Sequence, residues 1–172
     1  MTLPNFFAII RYTANTVHID MIIEEQLQKA IELATEAHKG QTDRAGKPYI
    51  GHITRVMQAG KTIEERMAGV LHDIVEDTHW TFEDLLREGI PANVVDAVRC
   101  LTKIENESYD QFIERVKTNP IAIAVKLNDL RDNMDFTRLP AISNKDIERL
   151  LKYHRAYKTL SNLQVTEGKD SF

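Results

Sequence analysis

A single cysteine, Cys100, leaves the chain without an internal disulfide and makes an all-thiolate metal site impossible. It lies in "VVDAVRCLT", where helical spacing predicts a small core residue rather than a nucleophile. The lack of disulfides points to the cytoplasm. Long apolar runs are also wanting. The stretch Phe6 to Ile10 is too short for a membrane span or a signal-peptide core, and no basic segment precedes it. There is no excess of positive charge: 22 Lys and Arg against 26 Asp and Glu leave a net charge of −4. Nucleic acid and anionic membrane are therefore not expected as partners, and an anionic substrate would need local cations or a metal. Alternating strand patterns, internal repeats and low-complexity segments are absent too. What remains is 172 residues, 42% hydrophobic and 28% charged, enough for one domain with a true core.

The chain reads as helix after helix. Leu27, Ile31 and Ala34 recur at helical spacing over 23–38, and Gly40 follows as a stop signal. Gly40, Gly46, Pro48 and Gly51 punctuate a loop. Thr62 and Glu65 form a capping-box pattern at the head of a helix expected over 62–77. "TFED" at 81–84, Pro91, "SYDQ" at 108–111 and Pro120 each open a further helix. A final helix, "NKDIERLLKYHRAYKTLSNL", is long and amphipathic, with Ile147, Leu150, Leu151, His154 and Tyr157 expected along one side. The expectation is an all-α, single-domain bundle over 21–166, with an N-terminal extension at 1–20 and a frayed tail at 167–172. The oligomeric state is left open.

"HDIVED", residues 72–77, concentrates the ionisable groups. Met67, Val70, Leu71 and Ile74 form a core-facing stripe. His72 pairs with Glu76, and Asp73 with Asp77, at i,i+4. A solvated helix face usually mixes Lys and Arg with its acids, yet no Lys or Arg occurs between Met67 and Phe82. Like charges one turn apart repel by a few tenths of a kcal/mol unless something neutralises them. Asp129 follows the apolar run 121–127, where a carboxylate is costly unless it is paired, with Lys126 for instance, or holds a metal. His52 ends the Gly/Pro loop at the start of a short helix, a place that also suits a cap or a packed ring. His52, His72, Asp73 and Asp129 together make an N/O donor set suited to Mn²⁺, Fe²⁺ or Zn²⁺.

"AHKGQ", "GKPYIGH", "AGVLHDIVEDT" and "VKLNDLRDNM", in that order, resemble the motifs of the HD-domain metal-dependent phosphohydrolases. The likeness is to their guanosine tetraphosphate (ppGpp) hydrolase and small alarmone hydrolase branch, and it runs from about Glu24 to Leu163. The resemblance implies a compact bundle of roughly ten helices, with His52, His72, Asp73 and Asp129 as metal ligands, Mn²⁺ foremost. It implies Glu76 and Asp77 as the catalytic acid pair that positions and activates the attacking water. Arg44 falls where a basic residue packs on the purine, Asn133 where an asparagine meets the sugar, and Tyr49 is a pocket-lining candidate. The implied reaction removes the 3′-pyrophosphate of (p)ppGpp. The synthetase domain of long bifunctional members is not expected.

The chain departs from that pattern at Asp132, where His is usual, Asn128, where a small residue is usual, Ile53, where Pro is common, and Asp43, where a basic residue is common. Asp43 and Asp132 are expected to make the nucleotide pocket more acidic. The alternatives are a nucleotide phosphomonoesterase (5′-nucleotide or NADPH 2′-phosphate) and a non-catalytic nucleotide-binding regulatory module. His79, Trp80, His38 and His154 read as packing or turn residues, and Lys47 and Arg131 as solvated surface.

Overall fold

The computed structural model describes the backbone of residues 6–167 and the side chains of residues 21–163. Among these residues there is no strand, only an isolated bridge between Thr42 and Pro48. The helices are α1 (Phe6–Ala37), α2 (Ile50–Gln58), α3 (Ile63–Leu71), α4 (Ile74–Asp77), α5 (Phe82–Arg87), α6 (Ala92–Leu101), α7 (Tyr109–Val116), α8 (Pro120–Met134) and α9 (Asn144–Glu167), with a 3-10 turn at Phe136–Arg138. The all-α expectation holds. Helix α1 starts well before residue 23, so part of the expected extension continues the first helix, and the expected tail beyond Glu167 lies outside the described residues.

The start signals act as their chemistry requires. Thr81 with Asp84, and Ser108 with Gln111, close full capping boxes. Thr62 accepts from Glu65 N, but the Glu65 carboxylate reaches back to Lys61 N, one residue beyond a closed box. Pro120 occupies the first turn of α8, where its missing N–H costs nothing, and Asn119 caps it.

Helix α3 packs on α2, α1, α6 and α8, and its stripe Met67, Val70, Leu71 and Ile74 is fully buried. At Gly69 the two backbones nearly touch: an added Cβ would lie 3.1 Å from Met57 Cα. A side chain there would have to push Met57, at the C-terminal end of α2, back by a few tenths of an ångström.

Two expectations are corrected. The helix over 62–77 breaks at His72–Asp73; Asp73, at φ −104° and ψ −1°, sits in the sparsely allowed bridge region, and a new turn starts at Ile74. In α9 the expected face is only partly the buried one: Tyr157 packs against the core, but the face is rotated away from Ile147 and Leu151. Ile147 and Leu151 are 48% and 58% exposed and His154 is exposed, whereas Asp146, Ala156 and Leu160 are buried. Asp146 sets this rotation: its carboxylate accepts from Ser143 N and Oγ and pairs with Arg44. A helix that turns Asp146 inward must turn its neighbour Ile147, about 100° away, outward.

Candidate metal centre and active site

The break after Leu71, the first turn of α2 and the middle of α8 converge. His72 Nε2 lies 3.0 Å from Asp73 Oδ2 and 3.7 Å from Asp129 Oδ1. His52 Nε2 lies 3.4 Å from Asp129 Oδ1 and 3.9 Å from Asp73 Oδ2. The two imidazoles meet edge to face, 5.3 Å between centroids. The structure thus brings the four expected ligands together from residues 77 positions apart in sequence, 52 to 129.

Every one of the four also has a further hydrogen-bond partner. His72 Nδ1 donates to Gly69 O at 2.8 Å, which turns the Nε2 lone pair towards the carboxylates. His52 Nδ1 donates to Asp132 Oδ2 at 2.6 Å. Tyr49 Oη donates to Asp73 Oδ2 at 2.5 Å. Asp129 accepts from Lys126 Nζ at 2.8 Å and from Asn133 Nδ2 at 2.5 Å. Asp129 is therefore paired with Lys126, and its other oxygen faces the imidazoles.

The donor set fits a divalent cation, and the test is His72. Its Nε2 is buried, points at carboxylate oxygens and has no hydrogen-bond partner; a buried polar atom left so is costly unless a metal or proton satisfies it. His52, His72 and Asp73 each offer a ligand atom within 4.8 Å of the others. Electrostatics agree. Burial opposes a charged imidazole, but Asp73 and Asp129 outweigh it and hold His72 well above the ordinary value. Burial also opposes ionisation of Asp129, yet Lys126 and the two imidazoles hold its carboxyl well below the usual range. Both shifts have one cause, the close approach of imidazoles and carboxylates around a single point.

Glu76 and Asp77 are exposed, and the structure separates them. Glu76 Oε2 accepts from Lys103 N at 3.0 Å, in the loop after α6. The Asp77 carboxyl is raised above its ordinary value by partial burial and then by the charges of Asp73 and Glu76. His38 is buried; its Nδ1 donates to Gln41 Oε1, and Gln41 in turn donates to Asp77 O at 3.1 Å. His38 and Gln41 thereby brace the Asp77 turn.

A pocket opens on the His52 side, lined by Arg44, Tyr49, His52, Asp132, Asn133 and Arg149 among others. The three expected substrate residues are all there, each already engaged: Arg44 with Asp146, Tyr49 with Asp73, Asn133 with Asp129. The expected acidity is corrected. Asp132 takes Arg55 Nε at 2.5 Å and Arg138 Nη2 at 3.0 Å, while Asp43 Oδ1 takes two loop amides and its Oδ2 lies 3.8 Å from Arg138. Their charge is spent inside the protein. Asn128 is buried and accepts from Arg131, which is exposed as expected and also donates to Tyr157 on α9, linking the two helices.

Arg55, Arg138 and Arg149 were not legible as site residues. Arg55 lies one turn after His52, and Asp132 one turn after Asp129, so helical spacing carried a signal for two of these groups. Arg138 and Arg149 come from a loop and a remote helix and carry none. Arg149 has no carboxylate partner among the described residues.

The chain matches the HD domain family over residues 30–138. It belongs to that family. Family membership implies a divalent metal, and the His-His-Asp cluster is a possible site for it. The chain is 31% identical over 132 residues, 70% of its length and 16% of the relative's, to a GTP pyrophosphokinase of Streptomyces coelicolor. It is 33% identical over 122 residues, 64% of its length and 17% of the relative's, to a guanosine-3′,5′-bis(diphosphate) 3′-pyrophosphohydrolase of Aquifex aeolicus. The HD domain chain thus spans about a sixth of these curated relatives. A solved structure described for a metazoan ortholog of SpoT that hydrolyses ppGpp superposes with a TM-score of 0.66 at 22% identity, covering 78% of this chain and 84% of that one. That likeness shows the shared fold.

Proposed function

We propose that this HD domain is a cytoplasmic Mn²⁺-dependent phosphohydrolase that removes the 3′-pyrophosphate of (p)ppGpp, leaving GDP or GTP. The observation that carries it is the buried, unpartnered Nε2 of His72, aimed into two carboxylates beside His52. Imidazole and carboxylate donors in this ratio suit Mn²⁺, with Fe²⁺ or Zn²⁺ as other occupants. The relatives' printed activities, a ppGpp 3′-pyrophosphohydrolase among them, support the substrate class. No helix among the described residues is long and apolar enough to cross a membrane, in keeping with a cytoplasmic setting.

In this reading His52, His72, Asp73 and Asp129 hold the ion. When bound, the ion acidifies a water and polarises a phosphoryl oxygen. Asp77, its carboxyl raised by its neighbours, accepts the proton as the water attacks the phosphorus attached to O3′. The P–O3′ bond breaks and O3′ takes up a proton. Glu76, bound to the Lys103 amide, holds the α4 turn and hence Asp77 in place. Arg44 is fixed by Asp146 as a planar wall for the purine, and the free amide oxygen of Asn133 remains to accept from the ribose.

The test is purified protein with Mn²⁺ and ppGpp, with phosphate and pyrophosphate measured separately. Pyrophosphate and GDP are expected, and His72→Ala lowers the rate by ~10³-fold or more, since the ion's contribution is several kcal/mol. Folded, Mn²⁺-loaded protein that leaves ppGpp intact would overturn the assignment. Phosphate released instead from a 5′-nucleotide or from NADPH would identify a phosphomonoesterase, and binding without turnover a regulatory module.

A further inference from the structure

Asp132 occupies a position where it could face the substrate, and it does not. Its Oδ2 accepts the His52 Nδ1 proton at 2.6 Å, and Arg55 and Arg138 close around the rest of the carboxylate. The Asp132 side chain is 11% exposed and that of His52 only 6%. Arg55 Nε donates to Oδ1 at 2.5 Å, Arg55 Nη2 to Oδ2 at 3.1 Å, and Arg138 Nη2 to Oδ2 at 3.0 Å, with a further bond at 2.6 Å to the Asp132 carbonyl. Two guanidiniums thus fix the carboxylate so firmly that it, in turn, fixes the imidazole.

We infer that Asp132 is a positioning residue for the metal centre: it holds His52 in the Nδ1–H form, keeps Nε2 aimed at Asp129 and Asp73, and makes that nitrogen a stronger donor. The inference rests on the metal-site reading above. The four ligands show why His52 needs such help. His72 receives the same service from Gly69 O, a backbone atom of its own helix. His52 is in the first turn of α2, where the carbonyl three positions back, Tyr49 O, already accepts from the backbone N–H groups of His52 and Ile53, so its orienting acceptor comes from another element. Asp132, one turn beyond Asp129 on α8, supplies it, so one helix contributes both a ligand and the support for a second ligand. A carboxylate behind a ligating imidazole fixes the ring's tautomer and raises its basicity, and loss of such support typically weakens metal binding by 10–100-fold. Arg55 and Arg138 are the condition for placing a third carboxylate so near Asp73 and Asp129: without them its charge would be buried and unpaired.

The experiment measures Mn²⁺ affinity of the metal-free protein by calorimetry, with no substrate present, for wild type, Asp132→Ala, Asp132→Asn and Arg55→Met. Wild type binds one ion; Asp132→Ala binds it about 10–100-fold more weakly. Asp132→Asn, whose amide oxygen still accepts from Nδ1–H but carries no charge, falls between. Arg55→Met removes one of the two guanidiniums but spares Arg138 and the His52 contact, and it loses clearly less Mn²⁺ affinity than Asp132→Ala even if it melts earlier. In the Zn²⁺-loaded protein the downfield His52 Nδ1–H resonance persists in Arg55→Met and disappears in Asp132→Ala. Wild-type affinity in Asp132→Ala overturns the inference, as does an equal loss in Arg55→Met, which would make Asp132 a structural ion-pair partner only. Wild type that binds no Mn²⁺ overturns the metal reading itself, a result distinct from either.

Discussion

The carboxylates of this site fall into two groups that differ in how they are held. Asp73 and Asp129 are embraced by Tyr49, Lys126, Asn133 and two imidazoles, and Asp129 is almost wholly buried. Glu76 and Asp77, three and four residues after Asp73, stand exposed on a single turn of helix. The difference suits the roles proposed for them. A group that holds an ion gains from rigidity, since each fixed ligand lowers the entropy lost on binding. A group that takes a proton from water must meet water, and its value lies in a raised pKa and reach. Asp77 has both, whereas Glu76 has given one oxygen to the Lys103 amide.

The largest expected effect breaks this second group apart. Asp77→Asn lowers kcat by about 10²–10⁴-fold, the usual contribution of a positioned general base, while Mn²⁺ affinity stays near wild type. Glu76→Gln keeps an acceptor for the Lys103 amide and costs clearly less. Steady-state kinetics on the two variants, with metal binding in parallel, check the order. Equal losses would mean that the two acids act as one unit and that the Lys103 contact opens during turnover.

Next comes the first group. Lys126 is the only Lys or Arg in contact with Asp129 among the described residues, and its ammonium also lies 5.0 Å from the Phe112 ring centroid. Lys126→Met leaves the buried Asp129 carboxylate with Asn133 and the two imidazoles alone. Breaking a buried pair from one side costs about 3–5 kcal/mol, so denaturant unfolding of the metal-free variant shows a loss near the lower figure, with Asn133 still in place. Saturating Mn²⁺ recovers part of that loss, because the ion binds only the folded chain. Glu76→Gln, by contrast, changes stability by no more than about 0.5 kcal/mol, as exposed substitutions do.

The same contrast explains what the sequence disclosed. Helix existence was legible because caps and stops are local: Ser108 and Gln111, Thr81 and Asp84, and Pro120 act within one turn. Of the four converging residues, Asp129 was legible as a carboxylate after an apolar run and His72 and Asp73 as part of an acid cluster without Lys or Arg, whereas His52 gained meaning only in combination with them. Illegible were choices made by tertiary partners. The rotation of α9 depends on Asp146 meeting Ser143 and Arg44, the latter 102 residues away, and an apolar count along the helix ranks Ile147 and Leu151 above it. Likewise Asp132 looked like a charge in the pocket because nothing in a linear reading announces Arg138 folding back over it. The break at His72–Asp73 was hidden by an unbroken helical pattern on either side.

The smallest effect concerns what anchors Glu76. Its partner Lys103 sits in the 102–107 loop, which Arg115 clamps by donating to Arg99 O at 2.7 Å, Thr102 O at 2.8 Å and both Glu107 oxygens. The Arg115 guanidinium holds the Glu107 carboxyl below its ordinary value of 4.5. A carboxyl depressed in the folded state adds stability that is present above the unfolded-state value and is lost as pH falls through the folded one. Glu107→Gln therefore lowers Tm by about 2–4 °C at pH 7, and the difference from wild type closes as pH drops below about 4. Thermal melts of the two proteins across pH 3–7 check the sign, and a difference that grows towards acid would show that the loop is clamped by Arg115's backbone contacts alone. Because Asp73 and Asp129 have no contact with this loop, the Mn²⁺ affinity of Glu107→Gln at pH 7 stays that of wild type, and only the Glu76 half of the site feels the change.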